Sequence, residues 1–295
     1  MHLKIRPLHK EFGVIVENIN LDKVTKKNLY PEIRELFEEH SVLLFKNQKF
    51  SEKTHINLAK LFGPLENREA MAKNSPIPFE LPKVSNQNSE GRVFEETHMR
   101  MLDLKGNMLW HTDSTFLPIP ALANIIAAKI IPSTGGETEL ASTRLPIKNL
   151  PKEILEKIKD RKFFHSFVHS RKQIDPTLAK LNKISRWKPQ KWSSIIENPV
   201  NGKKSIYIAS HAYKVEGFSK SDSQKIINKI IGFTTQKENV YAHTWQKGDV
   251  LIWDERSILH RGRPWPYQEP RTLVSICVSL SPEDGLSNVP KSQFN

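Results

Sequence analysis

The pattern of apolar and polar positions predicts strands and amphipathic helices in alternation at the start of the chain. Residues 12–22 carry several β-branched side chains, and residues 41–45 form a short apolar run, so both are expected to be strands. Residues 24–39 and 52–62 place apolar side chains three and four positions apart among charged ones, which predicts two helices. Ser51 is well suited to cap the second helix.

The elements that follow are predicted to be mainly strands. Apolar runs predict them at residues 121–131, 205–209, 249–253 and 272–278. Helices are expected over residues 146–160 and around residues 226–231. We therefore expect a mainly β fold with peripheral helices.

Two polar stretches, residues 66–108 and 165–195, interrupt these elements and show no clear periodicity. We predict that they are long, lid-like insertions over a site, because long loops in compact domains often have that role. The chain has no internal repeat and no break in composition, so residues 1–295 are expected to form a single domain.

The composition is that of an ordinary globular protein, with 38% hydrophobic and 26% charged residues in a chain of 295. Cys277, the single cysteine, cannot form an internal disulfide, which favours a reducing compartment. The first residues lack a long apolar segment, and no later stretch approaches the length of a membrane span. We therefore expect a soluble, unexported protein of the cytoplasm with no membrane partner.

The formal net charge of +13 raises the question of nucleic-acid binding. The lysines are scattered, mostly over predicted helical faces, as at Lys152, Lys157 and Lys229, and no dense basic run is interleaved with aromatic residues. We therefore expect no nucleic-acid partner, and a solvated basic surface that also attracts small anionic substrates.

The segment Trp110-His111-Thr112-Asp113 carries the first candidate metal ligands. If it is extended, side chains two residues apart point to the same side, so His111 and Asp113 can converge on one ion while Thr112 points away. A His-x-Asp pair alone is more often a hydrogen-bonded loop pair than a metal site. A third ligand is therefore needed from elsewhere in the chain.

His260 is the strongest candidate for that third ligand, because it follows the predicted strand 249–253 by a short turn. Two histidines and one carboxylate form the facial arrangement that leaves positions open on Fe(II) for oxygen and a cosubstrate. Arg271, at the start of the last predicted strand, is placed to hold a carboxylate bidentately, and Thr138 offers a hydroxyl to the same group. Arg271 could instead form a surface ion pair, but its place at the start of a strand, beside the turn that carries a ligand, favours the site. Thr138 could simply satisfy its own turn.

Together these residues stand in ordered motifs that resemble the taurine/2,4-dichlorophenoxyacetate dioxygenase family. The likeness extends from about Phe62 to about Val278, and residues 210–217 place it nearer the phenoxyacetate branch. The motifs that carry it are LWHTDS at 109–114, GGET at 135–138, GDVLIWD at 248–254, LHRGR at 259–263, and Arg271. The resemblance implies a double-stranded β-helix, one form of the jelly roll, and dependence on Fe(II) and 2-oxoglutarate.

The resemblance also implies roles for individual residues, with no catalytic residue beyond the metal ligands. By position, the matches are His111, Asp113 and His260 to the iron ligands, Thr138 and Arg271 to the residues that bind the far carboxylate of 2-oxoglutarate, and His211 and Arg92 to substrate-binding residues. Ser275 is the one clear departure, because the family usually has a second arginine there, facing the substrate anion. The anionic group of the substrate is therefore expected to be held differently, or to be a different group. His211 could instead be a buried structural histidine, and Arg92 could be an exposed loop arginine without a role in binding.

The implied reaction is hydroxylation of a small organic acid, an aryloxyalkanoate-like carboxylate, with O2 as oxidant and release of succinate and CO2. Alternative substrates are taurine or another alkylsulfonate, and an alkyl sulfate ester. A non-catalytic binding protein of the same fold is a rival of another class, but the intact ligand set argues against it. A zinc hydrolase built on the same three ligands would leave Arg271 and Thr138 without a purpose. We also expect a homo-oligomer.

Overall fold

The computed structural model describes residues 3–286 and 289–290 and is mainly β, with helices at the periphery. Within these residues the strands are β1 Lys4–Pro7, β2 Val14–Glu17, β3 Val42–Phe45, β4 Lys83–Ser85, β5 Ala121–Ile130, β6 Thr138–Ser142, β7 Lys162–His165, β8 Gln190–Ser193, β9 Ile195–Glu197, β10 Lys204–Ile206, β11 Ala212–Val215, β12 Val240–His243, β13 Val250–Asp254, β14 Ile258–Gly262 and β15 Thr272–Ser279. The two longest, β5 and β15, pair with each other.

Helices of very different length connect the strands. They are α1 Tyr30–His40, α2 Glu52–Phe62, α3 Arg68–Lys73, α4 Met99–Lys105, α5 Leu145–Asn149, α6 Lys152–Ile158, α7 Phe167–Lys172, α8 Asn182–Ser185 and α9 Lys220–Thr234. Over the described ranges, none of the helices combines the length and the apolar character that crossing a membrane would need.

In the described part of the chain, seven strands form the main sheet, in the order β1-β2-β3-β13-β5-β15-β4. Its neighbouring strands pair antiparallel, except β2 and β3, which run parallel. A second sheet has the order β12-β6-β14, and two smaller sheets have the orders β11-β7-β8 and β10-β9.

The main sheet is covered on both faces, and the residues of β13 show how. Val250 and Ile252 join a core that includes side chains of α1 and α2. Leu251 and Trp253 point the other way and join a second core with Leu140 of β6. Because successive strand residues face opposite sides, the second core lies between the main sheet and the β12-β6-β14 sheet. Full burial of each such aliphatic side chain contributes roughly 2 kcal/mol to stability.

Several elements predicted from the apolar pattern are confirmed. The runs at 41–45, 121–131, 249–253 and 272–278 correspond to β3, β5, β13 and β15. Ser51 caps α2 as predicted, since its Oγ accepts a hydrogen bond from the backbone N–H of Thr54 at 3.0 Å. The central strands and the capped helix are therefore specified locally.

Other predicted elements are corrected. The helix expected over 146–160 is two short helices, α5 and α6, because Leu150 precedes Pro151 and adopts an extended conformation with ψ of 143°. The strand expected over 12–22 is only β2. The segments 66–108 and 165–195 are not plain loops, since the first contains α3, β4 and α4 and the second contains α7, α8 and β8.

Candidate active site

The three predicted metal ligands, His111, Asp113 and His260, lie close together in the structure. His111 and His260 form an isolated antiparallel bridge, with backbone N–H···O distances of 3.0 and 2.8 Å, which sets the two residues opposite each other. Asp113 Oδ1 lies 3.6 Å from His111 Nε2, and its Oδ2 lies 3.6 Å from His260 Nε2. One ligand atom from each residue lies within 4.8 Å of the other two, so a single ion can contact all three. Thr112 points away and donates its hydroxyl to two main-chain carbonyls.

Hydrogen bonds orient two of these ligands. His111 Nδ1 lies 2.7 Å from the carbonyl oxygen of Leu109, so this nitrogen carries the proton and Nε2 is left to bind a cation. Asn124 Nδ2 donates to Asp113 Oδ2 at 2.7 Å, and Ser275 Oγ donates to Asn124 Oδ1 at 2.8 Å. Outer contacts of this kind are typical of metal sites, because they fix the direction of each ligand's lone pair.

Glu255 is buried behind the three ligands. Its Oε2 accepts a hydrogen bond from the backbone N–H of Asp113 at 2.8 Å, and its Oε1 accepts one from Trp253 Nε1 at 2.6 Å. Oε2 also lies 3.9 Å from His260 Nδ1, a buried nitrogen without a hydrogen-bond partner in the described residues. Burial, followed by the charge of Asp113, raises the pKa of Glu255 well above its usual value. This carboxyl group is thus close to two of the three ligands.

The charge states of the ligands suit a divalent cation. Burial lowers the pKa of His260 to about 3 and also lowers the pKa of His111, so both rings are neutral at pH 7 and offer lone pairs. Burial acts to raise the pKa of Asp113, but His260, His111 and Arg68 outweigh it and hold that pKa below its usual value. Two neutral imidazoles and one carboxylate fit Fe(II), and the cavity beside them leaves room for further ligands.

Arg271 and Thr138 line the same cavity as the three ligands. Arg271 is 5% exposed, and its Nη2 donates to the carbonyl oxygen of Gly136 at 2.8 Å, whereas its Nε is buried without a partner in the described part of the chain. Burial lowers the pKa of Arg271 to about 10, because few charges compensate the cation. Thr138 Oγ1 accepts from Trp245 Nε1 at 3.0 Å, so its hydroxyl hydrogen remains for an anion. The two residues offer a buried cation and a hydroxyl donor to an anionic group in the cavity.

The cavity has a volume of about 660 Å³ and extends from the three ligands toward α3, α4, α7 and α8. Part of its wall is aromatic: the rings of Phe116 and Phe167 stack with centroids 3.9 Å apart, and the His211 ring lies edge-on to Phe116 at 4.8 Å. Nine of the lining residues are arginine or lysine and five are aspartate or glutamate. The cavity therefore offers room, an aromatic surface and an excess of positive charge.

His211 lies in this cavity, as predicted, but Arg92 does not. His211 is 2% exposed, with Nδ1 at 3.1 Å from Thr115 Oγ1, and burial lowers its pKa well below the usual value, so the ring is neutral. The side chain of Arg92 is 82% exposed and pairs with Glu90 at 3.3 Å. It is not among the residues that line the cavity. The expected contact between Arg92 and substrate is therefore corrected: this side chain faces away from the cavity lining and pairs with Glu90.

Sequence reasoning missed Asn124, Arg68, Glu255 and the stacked pair Phe116 and Phe167. Asn124 is a lone polar residue in the apolar run of β5, and that interruption is the available signal. The others carry no such mark in the sequence, because their position in the cavity depends on how distant segments fold.

Comparison with known proteins gives the same answer as the geometry. The family model described as "Taurine catabolism dioxygenase TauD, TfdA family" matches residues 4–277. The "Alpha-ketoglutarate-dependent 2,4-dichlorophenoxyacetate dioxygenase" of Cupriavidus pinatubonensis is 30% identical over 276 residues, which cover 92% of this chain and 96% of that protein. The "(S)-phenoxypropionate/alpha-ketoglutarate-dioxygenase" of Sphingobium herbicidovorans is 28% identical over 277 residues, covering 91% and 92%.

A solved structure agrees in fold, and it contains a metal. The crystal structure of AAD-2 in complex with Mn(II) and N-oxalylglycine matches with a TM-score of 0.88 at 29% identity, covering 95% of this chain and 99% of that one. The family expected from the motifs, its phenoxyacetate branch and its cofactors are thereby confirmed. The chain belongs to the TauD, TfdA family of dioxygenases, enzymes that depend on Fe(II) and 2-oxoglutarate.

Proposed function

We propose that this enzyme hydroxylates a small aryloxyalkanoate-like carboxylic acid, with O2 as oxidant and release of succinate and CO2. The observation that carries the proposal is one continuous cavity, which joins the metal ligands to the stacked rings of Phe116 and Phe167 and to its nine arginine and lysine side chains, here called the basic rim. An aryl ring suits the aromatic wall, and a carboxylate suits the rim. Relatives named for 2,4-dichlorophenoxyacetate and phenoxypropionate support the same class.

We assign the metal to His111, Asp113 and His260, and the far carboxylate of 2-oxoglutarate to Arg271 and Thr138. When bound, iron and 2-oxoglutarate would activate O2 for the oxidation of a C–H bond of the substrate. Because the buried guanidinium of Arg271 holds the far carboxylate of 2-oxoglutarate, the keto-acid end is oriented toward the metal.

We assign His211 to a contact with the substrate. Because its ring is neutral and Nδ1 is engaged by Thr115, Nε2 is the atom available to hydrogen-bond a polar group of the substrate. The contact orients the substrate without adding a charge near the iron ligands.

We further propose that the main sheet and the β12-β6-β14 sheet are the two faces of a double-stranded β-helix in a single domain, residues 1–295. The segments 66–108 and 165–195 serve as its lid. Ion pairs across them support this role, since Asp103 of the first contacts Arg171 of the second at 3.1 Å. A closed lid excludes water from the reaction.

We also propose a cytoplasmic, homo-oligomeric enzyme with no nucleic-acid or membrane partner. The compartment is supported by the single cysteine, Cys277, which forms no disulfide. The absence of a nucleic-acid partner is supported by the wide spread of the basic residues along the chain. Light scattering on the purified protein measures the oligomeric state.

The first experiment tests the chemistry. Anaerobic addition of Fe(II) and then 2-oxoglutarate is expected to produce a weak visible charge-transfer band. His111→Ala should abolish both the band and the formation of succinate. If no band appears and His111→Ala leaves succinate formation unchanged, the oxygenase assignment is wrong.

The second experiment tests the substrate class by succinate release. Phenoxyacetate is expected to stimulate release, whereas taurine is not, because a short aliphatic chain leaves the aromatic wall without contact. Alkylsulfonates and alkyl sulfates are the second candidate, because the basic rim attracts these anions too. Stronger stimulation by taurine or hexyl sulfate than by phenoxyacetate would replace the first proposal with the second.

A further inference from the structure

The serine at position 275 raises the question of which cation holds the substrate's carboxylate. Ser275 is 9% exposed, and its Oγ donates to Asn124 Oδ1 at 2.8 Å. Asn124 in turn donates to the metal ligand Asp113. The serine hydroxyl is therefore engaged in orienting a metal ligand, and the anion of the substrate needs a cation elsewhere on the cavity wall.

We propose that Arg68 binds the carboxylate of the substrate, an inference that rests on the proposed function. Arg68 begins α3 and lines the cavity that contains the three metal ligands. Its Nη2 lies 3.2 Å from the Oγ of Ser114, the residue that follows Asp113. The side chain is 40% exposed, so an incoming anion can reach it.

The guanidinium of Arg68 is held in place before any ligand arrives. Its Nε donates to Glu66 Oε1 at 2.6 Å, and its Cζ lies 5.4 Å from the centroid of the Phe116 ring. Among the described residues, Nη1 has no hydrogen-bond partner. A fork fixed in this way loses little entropy when it binds a carboxylate. It adjoins the aromatic wall, so a ring and a carboxylate one short linker apart can be bound together.

Other arginines of the wall are less suited to this role. Arg171 is 8% exposed, and its Nε donates to Asp103 at 3.1 Å. Arg186 is engaged by both carboxylate oxygens of Glu69, at 3.3 and 2.6 Å, so its fork is occupied. Arg68 combines exposure to the cavity, an available donor and proximity to the metal ligands.

The test compares Arg68→Gln with Arg92→Gln, which removes the same charge from outside the cavity. Wild type, both variants and Arg68→Lys are loaded with Fe(II) and 2-oxoglutarate and titrated with phenoxyacetate or with neutral phenoxyacetamide. Succinate release gives kcat and KM in air. Quenching of tryptophan fluorescence gives Kd without O2, since Trp187 and Trp253 line the cavity.

Arg68→Gln is expected to raise Kd and KM for phenoxyacetate roughly 10- to 100-fold, the loss of one charge-assisted hydrogen-bonded pair. The KM for 2-oxoglutarate and the Kd for phenoxyacetamide should stay unchanged, which also shows that the variant is folded. Arg68→Lys should recover part of the affinity, because it keeps the charge and loses the fork. Arg92→Gln should behave as wild type.

The outcomes separate this inference from the proposed function. Equal phenoxyacetate affinity in Arg68→Gln and Arg92→Gln overturns the role of Arg68, and the proposed function stands if wild type still releases succinate. Binding that depends on Arg68 without added succinate release supports the anion site and overturns the proposed function. No phenoxyacetate binding by wild type overturns both.

Discussion

Asp113 can share an ion with the two histidines only if its carboxylate is turned toward them, and Asn124 provides that orientation. The amide donates to Oδ2 at 2.7 Å and is itself fixed by Ser275 at 2.8 Å. Cys277 Sγ lies 3.6 Å from the same Oδ2. An amide buried in the middle of an apolar strand costs free energy unless it is hydrogen-bonded, so its use here is to position the ligand.

Replacement of Asn124 by alanine should therefore weaken metal binding. We expect Asn124→Ala to lower the affinity for Fe(II) about 10- to 100-fold, the usual effect of losing a contact behind a metal ligand. Anaerobic titration with Fe(II) in the presence of 2-oxoglutarate, followed at the visible band, measures it. Ser275→Ala is the milder control, because Asn124 itself remains. Wild-type affinity in Asn124→Ala would contradict the positioning role.

Gly136 keeps the space that Arg271 occupies. Its φ is +70°, and a Cβ at this position would lie 2.8 Å from Arg271 Nε. Gly202 has nearly the same φ, +69°, but a Cβ there would meet nothing within 4 Å. The two glycines thus share the backbone strain that alanine would introduce, about 1–2 kcal/mol, and differ in the clash with the arginine.

These two glycines make a matched test of the proposed cosubstrate site. Gly136→Ala should raise the KM for 2-oxoglutarate about tenfold, which corresponds to roughly 1.4 kcal/mol of binding free energy. Gly202→Ala should lose a similar amount of thermal stability with no change in that KM. Initial rates at varied 2-oxoglutarate, together with melting curves, measure both. Equal KM values in the two variants would show that Arg271 does not hold the cosubstrate.

At the scale of elements, the difference between predicted and observed structure follows from element length. The strands β5, β13 and β15 have apolar runs long enough to be recognised, and α2 carries a cap as well as a helical period. The helices α3, α4, α7 and α8 have four to seven residues each. Two turns or fewer of helix show too little periodicity to be recognised, and such helices depend on tertiary contacts.

Asp103 is the residue through which these short helices contact each other. From α4 it accepts hydrogen bonds from Arg171 of α7 at 3.1 Å and from Lys183 of α8 at 2.6 Å. Burial acts to raise the pKa of Asp103, but Arg171 and Lys183 outweigh it and lower that pKa. The carboxylate is therefore charged and joins the two segments proposed to form the lid.

Loss of that carboxylate charge should loosen the lid. We expect Asp103→Asn to raise the KM for the acid substrate about tenfold, or roughly 1.4 kcal/mol, and to increase the 2-oxoglutarate consumed per product formed, because water enters the site. Parallel assays of succinate and product measure this ratio. Asp222→Asn in α9, which removes an exposed carboxylate, is the control. An unchanged ratio in Asp103→Asn would remove the argument for a lid at this contact.

At the scale of the whole molecule, the sequence predicts those site residues that stand in ordered motifs along the chain. His111, Asp113 and His260 could be named because ordered motifs single them out, and the fold then brings the segment with His111 and Asp113 beside β14, which carries His260. The error at Arg92 and the omission of Arg68 have one cause. Both lie in the segment 66–108, whose path over the cavity is set by tertiary contacts, so no local pattern shows which arginine faces inward.

Buried neutral histidines away from the metal ligands have a consequence for the stability of the whole molecule. His165 is completely buried and neither ring nitrogen has a partner among the described residues, and burial lowers its pKa to about 3. Burial also lowers the pKa of His55 to about 4, against a hydrogen bond to Ile125 that acts to raise it. Unfolding exposes both rings to water, where a histidine titrates near pH 6.5.

The sign of the pH effect follows from these values. Between pH 6.5 and about 3 the unfolded chain binds a proton at His165 and the folded protein does not, so stability is present above pH 6.5 and is lost as the pH falls. Each such group contributes a slope of up to about 1.4 kcal/mol per pH unit to the free energy of unfolding. Acid should therefore destabilise the wild-type protein well before its carboxylates are protonated.

His165→Leu should remove the contribution of one histidine to the pH dependence of the free energy of unfolding. The leucine is close in size to the imidazole and needs no hydrogen-bond partner, so the variant is expected to fold. Chemical denaturation of the metal-free protein at intervals from pH 8 to pH 5 should give a shallower decline in the free energy of unfolding for His165→Leu than for wild type. The comparison at pH 7.5–8, where both proteins carry no charge at this position, is the control. Curves that stay parallel down to pH 5 would show that His165 does not resist protonation in the folded state.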